Sequence, residues 1–183
     1  MLEHFDDASA FRRHAEEYIE AVEILCGGAE RPQVTVAFLM APISNNLGIA
    51  AELTFKTLLL EHGKSIADVK RYGHNLTSLY SALFFFLDQQ KFETDVEQHA
   101  KQFFSIPDQT NNKLTAKGIS PEIYFKFPNQ LATLNSNYYL DNDSDHRFRT
   151  RYPNTSKKKK IVETGIVHYG LVKLMGSLER YSN

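Results

Sequence analysis

Apolar residues recur through the N-terminal part of the chain at the three-to-four spacing of a helix. Phe11, Ala15, Tyr18, Ile19, Val22, Leu25 and Cys26 share one side, while Arg12, Arg13, Glu16, Glu17, Glu20 and Glu23 fall on the other. That division predicts a helix with one buried face. Asp6 or Asp7 can cap its start, and Gly27-Gly28 stops it. Pairs such as Arg12–Glu16 read as a solvated face, contributing a few tenths of a kcal/mol.

A second helical pattern opens at Pro32, which suits a first turn, and continues over 34–41, where Pro42 should kink or end it. A third helix covers about 46–61 and is closed by Gly63. A fourth covers about 75–88, with Leu76, Leu79, Tyr80, Leu83, Phe84, Phe86 and Leu87 on its apolar side and Phe85 pointing away, toward another element or a partner. The 91–104 stretch is a shorter, more polar helix. Pro107, Gly118, Pro121 and Pro128 make 105–128 irregular, with room for a short extended piece at 123–127. A helix over 129–140 follows, then a polar, basic loop at 141–160 in which Pro153 favours extended backbone at Tyr152. The last helix covers about 161–181. Its Gly165 and Gly176 share a side with Tyr169 and Val172, which suggests close helix approach. The whole pattern predicts an all-α, up-and-down helical bundle of five to six helices, forming one domain over 1–183.

Composition narrows the function only a little. A chain of 183 residues holds one sizeable core, and 42% hydrophobic with 23% charged residues is ordinary for a globular protein. The formal net charge of −1 favours neither nucleic acid nor an anionic membrane as a whole-chain partner, so any basic site must be local. Cys26 is the single cysteine, which excludes an intrachain disulfide and a Cys-rich metal site. No Walker loop, dinucleotide fingerprint or HExxH occurs, and no histidine pair has metal-ligand spacing on a helix, so neither cofactor nor metal is expected. The opening MLEHFDDASAFRRH lacks the apolar core of a signal peptide, and the longest apolar runs, such as 58–60 and 83–87, fall far short of a membrane span. A cytoplasmic chain without a membrane partner is the expectation.

The third helix carries an anomaly. Leu47, Ala51, Phe55, Leu58 and Leu59 form one apolar arc, Ile49, Leu53 and Leu60 form another, and Glu52 and Lys56 fall between the two. Only Thr54, Thr57 and Glu61 make a clearly polar side. A charged pair flanked on both sides by apolar residues should be partly buried, which is costly unless the charges are paired. Glu52 and Lys56 are then either an i,i+4 pair that fixes packing or the lining of a polar cleft for a ligand or a partner's charged group.

Directly after this helix comes K-R-Y-G-H-N-L at 70–76. Gly73 permits a tight turn, Asn75 can cap the next helix, and His74 stands at its start as either a structural hydrogen-bonding group or a ligand-contacting acid–base group. His62, at the end of the third helix, suits a favourable C-terminal charge or an exposed position. The pattern A-E-L-x-x-K-x-L-L-x-x-x-G ending at Gly63, followed by R-x-G-H-N-L-x-x-L, resembles the HEPN family of helical domains (higher eukaryote and prokaryote nucleotide-binding). The matching residues are Ala51, Glu52, Leu53, Lys56, Leu58, Leu59, Gly63, Arg71, Gly73, His74, Asn75, Leu76 and Leu79. The H-R-F-R-T-R-Y-P stretch at 146–153 also resembles an Arg-Tyr-Pro element of stand-alone members. The strong part spans 46–80; elsewhere the agreement lies in helical character.

The resemblance implies a helical bundle of four or five core helices, often a homodimer. It also implies nucleotide- or RNA-related roles, frequently in bacterial defence or toxin–antitoxin systems with a nucleotidyltransferase-type partner protein. Some members are metal-independent ribonucleases that carry an Arg followed after four to six residues by a His, late in the fold. No arginine here has that spacing, and Arg71 and His74 are three apart in the earlier motif, so enzymatic activity is left open.

Between 146 and 160 there are seven Lys or Arg residues and no acid. If 147–151 is extended, Arg147, Arg149 and Arg151 share one side and suit phosphates or carboxylates, including acids of the bundle or of a second subunit. Lys157–Lys160 reads as a solvated run or a weakly specified nuclear signal. Three functions compete. The first is a HEPN-like module binding a nucleotide, RNA or a protein partner through Glu52, Lys56, Arg71, His74 and the three arginines. The second is a ribonuclease with a rearranged site built on His74 with Arg71, Arg149 or Arg151. The third is a structural protein that dimerises through Phe85 and the glycine side of the last helix.

Overall fold

The computed structural model describes residues 7–27, 33–139 and 161–182, with backbone alone over 33–38. The described residues form an all-α bundle, and their one β-type contact is an isolated antiparallel bridge between Leu87 and Ser182. The helices are α1 (Asp7–Cys26), α2 (Gln33–Glu61), α3 (Ile66–Arg71), α4 (Leu76–Ser81), α5 (Gln89–Phe103), α6 (Asp108–Ala116), α7 (Phe127–Tyr138) and α8 (Thr164–Ser177). The 141–160 segment, with Arg147, Arg149, Arg151 and Lys157 to Lys160, lies outside the described residues, as does Asp6.

The centre of the bundle is α2, which packs against α1, α4, α7 and α8. It corrects the expectation of two helices broken at Pro42, because that proline sits inside one continuous helix. A mid-helix proline removes a backbone hydrogen bond and costs about 3 kcal/mol. Burial of Ile43, Leu47, Ala50, Ala51, Phe55, Leu58 and Leu59 over the following turns outweighs that loss. The expected polar side of this helix is also corrected, since Thr54 and Thr57 are fully buried rather than solvated. A helix enclosed on nearly all sides has no face left for water.

On α1, Ala8, Ala15, Ile19 and Val22 are buried as the spacing requires. Arg12 does more than the expected surface pairing. It sits 3.8 Å from Glu16, but its Nε and Nη2 each donate to Glu61 of α2 at 2.8 Å. The two long helices are therefore tied end to end by a bidentate ion pair.

The expected fourth helix is shorter than its apolar pattern suggests. Helix α4 stops at Ser81, continues as a 3₁₀ turn over Ala82–Phe85, and gives way to the bridge at Leu87. There the Asp88 N–H donates to the Tyr181 carbonyl at 2.6 Å, and the fully buried Tyr181 stacks edge-on with Phe92 at 5.4 Å. Pairing with the C-terminal turn thus ends the helix. Part of the expected irregular segment is ordered as α6, and the 123–127 stretch is not extended. A 3₁₀ turn covers Pro121–Phe125 and α7 begins at Phe127. Buried Gln130 holds this corner, donating to the Tyr124 carbonyl at 2.6 Å and accepting from the Glu163 N–H at 2.9 Å.

Of the two glycines expected to mark close approach in α8, only Gly165 does so. A Cβ there would lie 2.4 Å from Phe104, whereas Gly176 has nothing within 4 Å. Phe85 is exposed, as its position on the helical pattern suggested, whereas Val172, on the side expected to approach another helix, is exposed as well.

The Thr54 and Thr57 hydroxyls have no hydrogen-bond partner among the described residues. A buried unpaired hydroxyl costs about 1–3 kcal/mol, and valine has the same shape without it. Thr57→Val is expected to raise the unfolding free energy by about 1 kcal/mol, read from the urea midpoint. A variant less stable than the wild type would show that the hydroxyl is paired.

Candidate functional site

The turn between α3 and α4 exists to bring one side chain back over α2. Ser65 caps α3 by accepting from the Asp68 N–H at 3.1 Å and donating its own hydroxyl to the Asp68 carboxylate at 2.7 Å. This Ser-x-x-Asp arrangement is a capping box with the shorter acid, and it explains a short helix between the two that the apolar pattern predicts. Gly73 then adopts φ +58, a left-handed conformation that closes α3 and reverses the chain. Asn75 caps α4 by accepting from the Ser78 N–H at 3.1 Å, and the next amide, Leu76 N–H, donates to Asn135 of α7 at 2.9 Å. His74 is therefore carried on backbone fixed from two sides.

Its imidazole meets Glu52. Nδ1 of His74 lies 3.0 Å from Oε1 and 2.9 Å from Oε2 of that carboxylate. Lys56 Nζ donates to Oε1 at 2.7 Å, and the Tyr138 hydroxyl donates to Oε2 at 2.9 Å. Glu52 is 7% exposed and Lys56 is 9% exposed. The His74 side chain is 45% exposed, and the Tyr139 ring stands 5.6 Å from it at 55°. The structure thus brings together Glu52, Lys56 and His74, as the sequence pattern suggested, and adds Tyr138.

The electrostatics follow from this packing. Burial pushes the Glu52 carboxyl toward its neutral form, but the hydrogen bonds and charges of Lys56 and His74 outweigh it and hold the carboxyl below the usual range. An ionised carboxylate only accepts hydrogen bonds, so Nδ1 of His74 carries the proton shared with Glu52. Any proton exchanged with a ligand would run through Nε2.

Other candidates are placed elsewhere. Arg71 is 80% exposed and pairs with Asp68 at 3.2 Å, apart from the Glu52 cluster. His62 donates through Nδ1 to the Leu58 carbonyl at 2.8 Å, and its ring stacks on Phe86 at 3.7 Å. The imidazole is thus a second donor to a carbonyl near the end of α2 that already accepts from the His62 N–H at 3.1 Å. Phe85 is 54% exposed, with Lys64 Nζ 4.9 Å from its ring centre. Among the described residues no group of three His, Cys, Asp or Glu side chains could hold a metal ion, and no described helix is long and apolar enough to cross a membrane.

Tyr138 was not singled out from the sequence, nor was its seat on Gly48. A Cβ at Gly48 would lie 2.3 Å from the Tyr138 ring. The available signal was a glycine one turn before Glu52 on an otherwise crowded apolar helix, which marks close approach by another element. No family model matches the chain, and neither a curated protein nor a solved structure matches it.

Because Glu52 is held below its usual range, its contribution to stability is complete above the unfolded carboxyl value, about 4.3. It is lost as pH falls through the lower folded value. Glu52→Gln removes the charge that Lys56 and His74 share and is expected to cost about 3–5 kcal/mol near neutral pH. The difference from wild type should shrink below about pH 4, read from denaturation curves across pH. A difference that stays constant from pH 7 to pH 3 would contradict the ionised cluster.

Proposed function

We propose that the chain is a HEPN-like helical module that binds a phosphate-bearing ligand, a nucleotide or RNA, at the surface where His74 emerges beside Tyr139. The observation that supports this reading is the convergence of Glu52, Lys56 and His74, the polar residues of the A-E-L-x-x-K and G-H-N-L patterns, on one hydrogen-bonded cluster. Glu52 and Lys56 are turned inward and neutralise one another, so they act as support. The half-exposed imidazole is the part of the cluster that meets a ligand. Arg71, which lies apart from the cluster, and the arginines Arg147, Arg149 and Arg151, which lie outside the described residues, are the candidates for phosphate contacts, and a protein partner such as a nucleotidyltransferase would compete for the ligand surface. A bacterial defence or toxin–antitoxin setting is part of the same proposal.

A second reading is favoured by one specific feature, the hydrogen bond from His74 to a buried carboxylate. An imidazole oriented in that way suits general base catalysis. In a metal-independent ribonuclease, Nε2 would take the proton of a 2′-hydroxyl. The 2′-oxygen would then attack phosphorus and the 5′-oxygen would leave and collect a proton from water, giving a 2′,3′-cyclic phosphate.

Filter binding of a single-stranded RNA across a salt series tests the first reading. Affinity should fall as salt rises, with a slope set by the number of phosphates contacted, and His74→Ala should weaken it by about tenfold. Binding that is independent of salt, or equal in His74→Ala, would rule out phosphate recognition at this surface. Cleavage of the same RNA by the wild type and not by His74→Ala would move the assignment to the ribonuclease.

A further inference from the structure

We infer that Tyr138 is a positioning residue for His74, acting through the carboxylate of Glu52. The inference rests on the reading that His74 meets the ligand, and it assigns to a residue of α7 the task of keeping the imidazole in one orientation and one tautomer.

The geometry of the carboxylate carries this inference. His74 Nδ1 is almost equidistant from the two oxygens of Glu52, at 3.0 and 2.9 Å. Such a bridging contact requires the carboxylate to present both oxygens to the imidazole at once. The terminal torsion of a glutamate is broad, so the carboxylate does not hold that plane unaided. Lys56 fixes Oε1 from the same helix, four residues on, at 2.7 Å. Acting alone it would leave Oε2 to turn about that anchor. The Tyr138 hydroxyl fixes Oε2 from a different helix, at 2.9 Å. Two donors on two helices define the plane, and His74 reads it.

Tyr138 is fitted for this role by its immobility. It is 1% exposed, and its ring lies against the backbone of Gly48, one turn before Glu52 on α2. Any side chain at position 48 would occupy the space the ring fills, since a Cβ there would stand 2.3 Å from it. The next amide, Tyr139 N–H, donates to the Asn135 carbonyl at 2.8 Å, and the Asn135 side chain accepts from Leu76 N–H at the start of α4. The end of α7 is thereby tied to both partners of the contact it controls: to Glu52 through the Tyr138 hydroxyl and to the His74 turn through Asn135. The groups facing the carboxylate are Lys56 from α2, Tyr138 from α7 and His74 from the turn before α4.

The consequence for ligand binding is a defined donor–acceptor pattern. With the carboxylate plane fixed, the neutral imidazole keeps its proton on Nδ1, and Nε2 is an acceptor. A loosened plane lets the proton exchange between the two nitrogens, and the ring offers a mixture of donor and acceptor to whatever it meets.

The test uses the full chain labelled with ¹⁵N histidine, with ring nitrogen shifts recorded for the wild type, Tyr138→Phe and Gly48→Ala. In the wild type the resonances of the neutral His74 ring should be those of an almost pure Nδ1–H tautomer. Tyr138→Phe keeps the ring and removes the hydroxyl, so it is expected to fold. Its His74 signals should move toward a mixed tautomer, and its affinity for single-stranded RNA should fall by about threefold to tenfold. Gly48→Ala, which displaces the ring, should move the His74 shifts in the same direction. Wild-type tautomer shifts in Tyr138→Phe would overturn the inference and leave Tyr138 as packing alone. If the shifts move as expected but the wild type binds no RNA, the positioning role stands and the binding reading of the site falls.

Discussion

A carboxylate buried within the helical bundle is the constraint that joins the fold to the site. Glu52 is almost wholly removed from water, and an ion in that position is destabilising unless hydrogen bonds and opposite charge replace its hydration. Three groups do so, one from its own helix, one from the turn before α4 and one from α7. Satisfying the carboxylate therefore requires three separate elements to be in register. Loss of any one leaves charge or a polar atom stranded, so the cluster favours a single packing arrangement over near alternatives.

The neighbouring structure makes sense in relation to that requirement. The left-handed Gly73 and the double capping at Asn75 and Leu76 set the distance from α3 to α4 so that His74 reaches back to α2. Gly48 lets α7 come close enough for a phenol to reach the same carboxylate. The aromatic core of Tyr80, Phe92 and Phe127, with centroids 5.2 to 6.2 Å apart, anchors α4, α5 and α7 to one another. The resulting surface offers one half-exposed imidazole over a neutralised, rigid base. That is the arrangement from which the proposed recognition of a phosphate-bearing ligand is argued.

Much of this was legible in the chain, and the reasons for the rest are physical. The helical class followed from apolar spacing, which is strong in α1 and α5 because each has one buried and one solvated side. The Glu52–Lys56 pair was legible because its flanks are apolar, and His74 because it follows a glycine at a helix start. The pattern failed where burial is all-round. In α2 the threonines looked like a solvent side, yet Thr54 and Thr57 are enclosed, and Pro42 looked like a break where core packing carries the helix through. Helix α4 was read as too long because its apolar run continues past the point where pairing with the C-terminal turn redirects the chain. Tyr138 was invisible for a different reason. It lies 86 residues from Glu52, and no periodicity links positions so far apart.

The coupling between Glu52 and His74 is the quantity on which this account turns, and a double-mutant cycle measures it directly. Unfolding free energies of the wild type, Glu52→Gln, His74→Ala and the double variant, taken at pH 6, should give an interaction energy of about 1–3 kcal/mol, as for residues sharing one network. Additive effects, with an interaction energy near zero, would mean that the imidazole and the carboxylate are neighbours without being partners.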